Sequence, residues 1–215
     1  LHWSPKSPFV RKVMIAAHEC ALVERIELVR TVAMMSRPNA ALMADNPLNK
    51  IPTLILDDGS RLYDSSVICE YFDDLAAHSS SSHRLFPASG AHRWEALRRN
   101  ALGSGLLDVL ILWRNERERP APLESLIDAF AQKTASCLTL MAADLAMAPV
   151  ARFDIGDISM GCALAYLDFR FATFDWRLSH PGLIDWYARF SARPSVQATQ
   201  IVDDGPVLAR SGVGT

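Results

Sequence analysis

Asn46-Pro47-Leu48-Asn49-Lys50-Ile51-Pro52-Thr53-Leu54 is the stretch on which the fold turns. Pro52 stands at the mouth of an apolar run, Ile51 to Leu56, where it cannot donate a ladder hydrogen bond and holds Ile51 extended. The run reads as a strand entered through a proline. The turn signal Asp57-Asp58-Gly59 and the short strand Arg61 to Tyr63 make it a hairpin. The isomer of the Ile51–Pro52 bond stays open: trans is the commoner state, whereas cis would turn the Ile51 amide and carbonyl toward a bound peptide.

Upstream, Leu1 to Trp3 reads as a short first strand. From Pro8 to Ala21 the apolar positions Val10, Val13, Met14, Ala17 and Ala21 recur at helical spacing, and Ile26 to Val29 alternates as a strand should. A proline-punctuated stretch from Arg37 to Asn49 then leads into the hairpin, and Val67, Ile68, Tyr71, Phe72 and Leu75 line one face of a further helix. The order is β-α-β, loop, β-β-α, complete by about residue 76.

Downstream, four consecutive serines, Ser79 to Ser82, interrupt all periodicity and predict a linker over 78–87 between a domain at 1–77 and another at 88–203. The second half shows three helical stripes and no strand. They are Leu102, Leu106, Val109 and Trp113; Leu126, Phe130, Cys137 and Met141; and Ile158, Cys162, Ala165 and Phe169. Arg119-Pro120-Ala121-Pro122 separates the first two helices, and His180-Pro181 and Arg193-Pro194 open two shorter ones. The expected fold class is an α/β N-terminal domain followed by an all-α helical bundle. From Val202 onward the chain reads as irregular.

Composition removes several functions. The 215 residues carry 22 Lys plus Arg against 24 Asp plus Glu, so no basic excess exists for nucleic acid or an anionic membrane. Apolar stretches such as Leu106 to Trp113 fall short of the roughly 20 residues that a membrane-spanning helix needs. The chain opens without a charged region leading into an apolar one, which predicts a cytoplasmic protein. Cys20, Cys69, Cys137 and Cys162 are widely spaced within apolar patterns and are expected as buried reduced thiols. The six histidines show no metal-ligand spacing, so no metal is expected.

Three segments carry candidate chemistry. Ser7-Pro8 opens the first helix, with serine a preferred N-cap and proline preferred at the first helical position. Besides capping, Ser7 is placed to offer its hydroxyl to an anion at a helix N-terminus, with Ser4 a weaker candidate. Lys50-Ile51-Pro52 forms the strand mouth. Tyr63-Asp64-Ser65-Ser66 precedes the Val67 stripe, so Asp64 or Ser65 caps that helix.

In order and spacing, Ser7-Pro8-Phe9, Asn46 to Leu54, and Asp64-Ser65-Ser66-Val67-Ile68 resemble the glutathione site of the glutathione S-transferase superfamily. That family's pattern is Ser, Cys or Tyr at the first helix, then Asn-Pro-x-Gly-Lys-Val-Pro-x-Leu, then Glu-Ser-x-x-Ile. Asp154-Ile155-Gly156-Asp157-Ile158 looks like its capping box with a buried aspartate, and Arg193-Pro194-Ser195-Val196 looks like its closing helix. The resemblance covers nearly the whole chain and implies a thioredoxin-like βαβ-ββα domain backed by helices. Asn49 replaces the usual Gly, which Asn tolerates in left-handed backbone, and Asp64 replaces Glu, shortening its reach by one methylene.

The resemblance also implies roles. Ser7 would hydrogen-bond the glutathione sulfur as the catalytic residue. Ile51, with Pro52, would pair its backbone with the cysteinyl part as an added strand does. Asp64 would meet the γ-glutamyl amine, Ser65 and its helix N-terminus the γ-glutamyl carboxylate, and Lys50 the opposite carboxylate. The implied activity is conjugation of the glutathione thiolate to a small hydrophobic electrophile by a homodimer; the helix stripe offers Trp113, with Phe9, as wall of the electrophile pocket, although a tryptophan in such a stripe is more often core. Two alternatives stand beside it: a glutathione-dependent disulfide or peroxide reductase, against which the absence of Cys at position 7 argues, and a non-catalytic glutathione or ligand-binding module.

Overall fold

The computed structural model describes residues 1–78, 84–147 and 153–205. The serine run Ser79 to Ser82, and with it half of the predicted linker, lies outside the described residues. So does the last part of the irregular tail.

The N-terminal part runs β1 (His2–Trp3), α1 (Pro8–Glu19), β2 (Val29–Arg30), α2 (Ala40–Asp45), β3 (Leu54–Ile55), β4 (Arg61–Leu62) and α3 (Ser65–Ala77). β1 pairs with β2 in parallel, His2 opposite Val29, and β3 pairs with β4 antiparallel, Leu54 opposite Leu62. An antiparallel bridge between His2 and Thr53 joins the two ladders, giving the spatial order β2-β1-β3-β4. The predicted βαβ-ββα order is present.

Two local expectations need correction. The strand expected over Ile26 to Val29 begins at Val29, because its partner β1 is two residues long and the ladder closes with Val29 N donating to Leu1 O and Thr31 N to Trp3 O. Val23–Arg25 ahead of it forms a 3₁₀ turn. The stretch read as loop between Arg37 and Asn49 contains α2, capped by Asn39, whose Oδ1 accepts from Ala41 N at 3.1 Å and Leu42 N at 3.3 Å. Its six residues bury one side chain, Leu42, too little to show as periodicity.

The second part is helical: α4 (Gly90–Arg117), α5 (Glu124–Ala146), α6 (Ile155–Arg170), α7 (Trp176–Ser179), α8 (Ile184–Ser191) and α9 (Pro194–Gln197). α6 is buried from Ile155 through Leu167, as befits a central helix covered on every side. It packs most extensively on α4, where the axes come close because Gly103 has no side chain: a Cβ there would lie 2.5 Å from the Ser159 carbonyl carbon. On α5 the buried stripe is Phe130, Thr134, Leu138, Met141 and Leu145, rotated from the expected one, so Leu126 is exposed and Cys137 half-buried. Cys20, Cys69 and Cys162 are buried, and all four thiols are free. α7 went unanticipated.

Trp113 belongs to this helical core rather than to a pocket wall. Its ring lies 4.7 Å from Phe171 and 5.7 Å, edge-on, from Phe174. Arg99 on α4 is almost fully buried and pairs with Asp154 and, at 2.9 Å, with Asp157. These carboxylates form the expected capping box of α6: Asp154 accepts from Gly156 N and Asp157 N, and Asp157 accepts from Asp154 N at 3.0 Å.

Candidate functional site

The strand register brings the three predicted segments to one edge of the small sheet. With His2 opposite Thr53 in an antiparallel sense, Ser4 faces Ile51 where β1 ends and the chain turns toward Ser7. With Leu54 opposite Leu62, continuing that register sets Pro52 opposite Asp64, where β4 gives way to α3. Ser7 and Asp64-Ser65 are thus helix starts and Ile51 the end of the loop that leads into β3, the three gathered by that register around one corner.

Ser7 is the N-cap of α1, in extended backbone with Pro8 following, and its Oγ accepts from Val10 N at 3.2 Å. That bond uses a lone pair and leaves the hydroxyl proton for an anion. Ser4 is buried and its Oγ accepts from Lys6 N at 3.4 Å, which ties it to the turn. Ser7 is the better-placed hydroxyl.

Ile51–Pro52 is a cis peptide bond. The loop before it is organised by Asn46, 1 % exposed, whose Nδ2 donates to Lys50 O at 3.1 Å and Thr53 Oγ1 at 2.9 Å. Thr53 Oγ1 in turn donates to Lys50 O at 2.9 Å. Asn49 adopts φ 54°, the left-handed conformation that a Gly-to-Asn replacement tolerates. Among the described residues neither the Ile51 amide nor its carbonyl has a hydrogen-bond partner, which leaves both for an extended ligand. Lys50 is exposed and has no ion-pair partner among the described residues.

Asp64, which follows a second cis bond from Tyr63, caps α3: its Oδ1 accepts from Ser66 N at 2.8 Å. Of the two capping candidates the structure uses Asp64. Ser65 is buried at the first helical position, and its N–H has no acceptor among the described residues. A carboxylate meeting Ser65 would meet a hydroxyl, a free amide and the positive end of a 13-residue helix together.

Beneath this corner lies a residue that sequence reasoning passed over. Lys12 on α1 is fully buried, and its ammonium donates to Asn100 Oδ1 at 2.7 Å, Ser66 Oγ at 3.0 Å and Ser104 Oγ at 3.0 Å. Burial lowers its pKa, opposed by the negative charge of Asp64 and Asp108 and by two buried cysteines. Asp108 on α4 moves upward, chiefly through desolvation and against the pull of Lys50. The signal for Lys12 was its place beside Ser7-Pro8; its position off the apolar stripe hid its burial. The imidazole of His2, also buried, lies 2.8 Å from Thr31 Oγ1 and 3.1 Å from Asp45 Oδ2, a packing role.

No group of three or more His, Cys, Asp or Glu arranged to hold a metal ion occurs among the described residues. None of the described helices is long and apolar enough to cross a membrane.

Comparison with known proteins gives the family. Residues 6–75 match the glutathione S-transferase N-terminal domain model and residues 124–189 the C-terminal domain model. A glutathione transferase family member from Pseudomonas fluorescens Pf-5, solved with glutathione bound, is 40% identical with a TM-score of 0.86, over 94% of this chain and 98% of that one. A second structure of a family member from that organism, with S-(propanoic acid)-glutathione bound, is 39% identical with a TM-score of 0.83 over the same shares. The uncharacterized GST-like protein YibF of Escherichia coli K12 is 25% identical over 90% of this chain and 94% of its own length. With both halves matched in order, and relatives of this identity spanning almost the whole chain, the protein belongs to the glutathione S-transferase family.

Proposed function

We propose that this protein binds glutathione at the Ser7, Ile51 and Ser65 corner and conjugates its thiolate to a small hydrophobic electrophile. The observation that carries the reading is the set of unspent groups there: the Ser7 hydroxyl proton, both Ile51 backbone groups and the Ser65 amide. A γ-glutamyl tripeptide is an extended chain with a thiol at its middle and a carboxylate at each end, so it offers one partner to each. Ile51, immediately before Pro52 where the loop ends, pairs with the cysteinyl unit as an added strand. Ser65 takes the γ-glutamyl carboxylate, Asp64 the amine beside it, and Lys50 the far carboxylate. Ser7 donates to the sulfur. Conjugation is favoured over thiol exchange because position 7 holds an oxygen, which cannot form a mixed disulfide, and a relative near 40% identity binds a glutathione thioether.

Isothermal titration of reduced glutathione into the protein and into the Ser65→Ala variant tests the site. Saturable binding should weaken by about 10-fold or more in the variant, the worth of a hydrogen bond to a charged group. Equal affinity in both proteins would remove Ser65, and no binding at millimolar glutathione would sink the reading.

The reaction belongs in the cytoplasm, where glutathione keeps thiols reduced. The functional units are a glutathione-binding domain over 1–77 and a helical domain over 88–203. The protein acts as a homodimer through the outer face of α3 and α4, where exposed Val67 and Trp94 flank an ion pair of 2.8 Å between Glu70 and Arg93. Sedimentation velocity at micromolar protein should show a species of twice the chain mass; a monomer at that concentration would rule the dimer out.

A further inference from the structure

Two arginines are buried among the described residues, and the protein treats them in opposite ways. Arg99 is matched by the carboxylates of Asp154 and Asp157. Arg11 on α1 is 9 % exposed and has no carboxylate within ion-pair distance among the described residues. A guanidinium carries five N–H donors. Among the described residues one acceptor meets Arg11, the Val196 carbonyl at 3.3 Å from Nη2, and its Nε is enclosed without an acceptor there. Since a guanidinium does not deprotonate, it cannot relieve its burial by losing charge as a lysine does. Buried charges are ordinarily paired, and this one has no countercharge among the described residues.

Arg11 lines a cavity of about 350 Å³ between α1, α6, α8 and the segment that follows α9. Phe169, Val196 and Ile201 supply apolar wall, and Ser191 and Gln200 supply neutral polar groups. Asp168 also lines it, but its two oxygens accept from Arg177 at 2.7 Å each, and Oδ1 accepts from Trp176 Nε1 as well. Its charge is therefore balanced by Arg177. Burial and then Asp168 push the Tyr187 hydroxyl up to about 12, so this wall residue stays neutral. Ser7, Ile51, Asp64 and Ser65 are not among the lining residues.

We propose that this cavity is a binding site for a small monocarboxylate with a compact apolar body, its carboxylate on Arg11 and its body against Phe169 and Ile201. An anion is the one kind of occupant that supplies the charge Arg11 lacks, and a carboxylate matches the planar fork of the guanidinium. The occupant is small because the cavity stands near the lower end of the roughly 300 to 1,000 Å³ typical of ligand pockets. It is part apolar because half of the lining has nothing to offer a hydrogen bond.

The test is calorimetric titration of the full chain with 3-phenylpropionate beside its neutral counterpart, 3-phenylpropan-1-ol. The acid should bind saturably below millimolar concentration and about 10-fold or more tighter than the alcohol, the margin of one charge-assisted hydrogen bond. Arg11→Gln should abolish that margin. Because Arg11→Gln also gives up the Val196 bond, Ile201→Trp serves as the second variant: it fills the cavity from a half-buried position with Arg11 intact, and should lose the acid at an unchanged melting temperature. Equal binding of acid and alcohol by the parent protein, a margin that survives Arg11→Gln, acid binding that survives Ile201→Trp, or no binding of the acid at millimolar concentration overturns the proposal. Glutathione titrated into the same variants reports separately on the Ser7 corner.

Discussion

Replacing Asp157 by alanine is expected to cost about 3 to 5 kcal/mol of folding stability, the usual result of breaking a buried ion pair from one side. The carboxylate is 2 % exposed and does two jobs at once, accepting from Arg99 Nη1 at 2.9 Å and from the Asp154 amide at 3.0 Å. Its loss leaves Arg99 with half its countercharge, in a place water cannot reach, and orphans the amide that starts α6. α6 is the helix around which the others pack, so the damage falls at the centre of the core rather than at a fraying end. Against a total stability of about 5 to 15 kcal/mol, this is a large share of what holds the fold together. Urea unfolding followed by circular dichroism measures it. A loss below about 1 kcal/mol, the scale of an ordinary helix cap, would mean that capping is the whole of the residue's contribution.

Ser7→Ala is expected to lower kcat/KM for conjugation of 1-chloro-2,4-dinitrobenzene by about 10- to 100-fold, because a hydrogen bond to a charged group is worth about 1.5 to 3 kcal/mol. Bringing a thiol from about 8.5 to about 6.5 takes about 2.7 kcal/mol of preference for the anion. The serine bond together with the α1 N-terminus, about 0.3 to 1 kcal/mol, covers that sum. The sign of the pH effect follows: without Ser7 the bound thiol titrates higher, so the rate profile moves to alkaline pH and the deficit narrows there. The variant also loses a helix cap, about 1 kcal/mol, which lowers the melting temperature slightly while leaving glutathione affinity nearly intact. An unchanged rate and profile would take Ser7 out of the mechanism. Tight glutathione binding without turnover, by the parent protein as well, would instead favour a non-catalytic module.

What was legible in the sequence was local chemistry at the starts of elements. Ser7-Pro8 and Asp64-Ser65 announce two helices by the residues that begin them, and the structure starts both there; the strand expected over Ile51 to Leu56 is confined to Leu54–Ile55, because the loop held by Asn46 runs on through Pro52. Less legible was anything decided by a distant partner. β2 is short because β1 is short, which nothing in Ile26 to Val29 could convey. The Asp154 and Asp157 box was readable, but its cation Arg99 stands 55 and 58 residues away in a helix that otherwise reads as amphipathic. Trp113 satisfied a stripe, and a stripe does not say whether the surface it meets is ligand or core. Phe171 and Phe174 answer that only once the chain folds back on itself.

The acceptors of Lys12 come from residues 54, 88 and 92 positions along the chain, one on α3 and two on α4. The ammonium thus rivets the sheet-bearing part to the helical part with a charge that neither could shelter alone. Cut from its helices, residues 1–78 would keep one of the three acceptors, Ser66, and lose the cover that α4 gives the ammonium. The boundary that divides the chain by sequence and by family model is therefore no seam along which it comes apart: the two parts gain their stability jointly and should melt in a single transition.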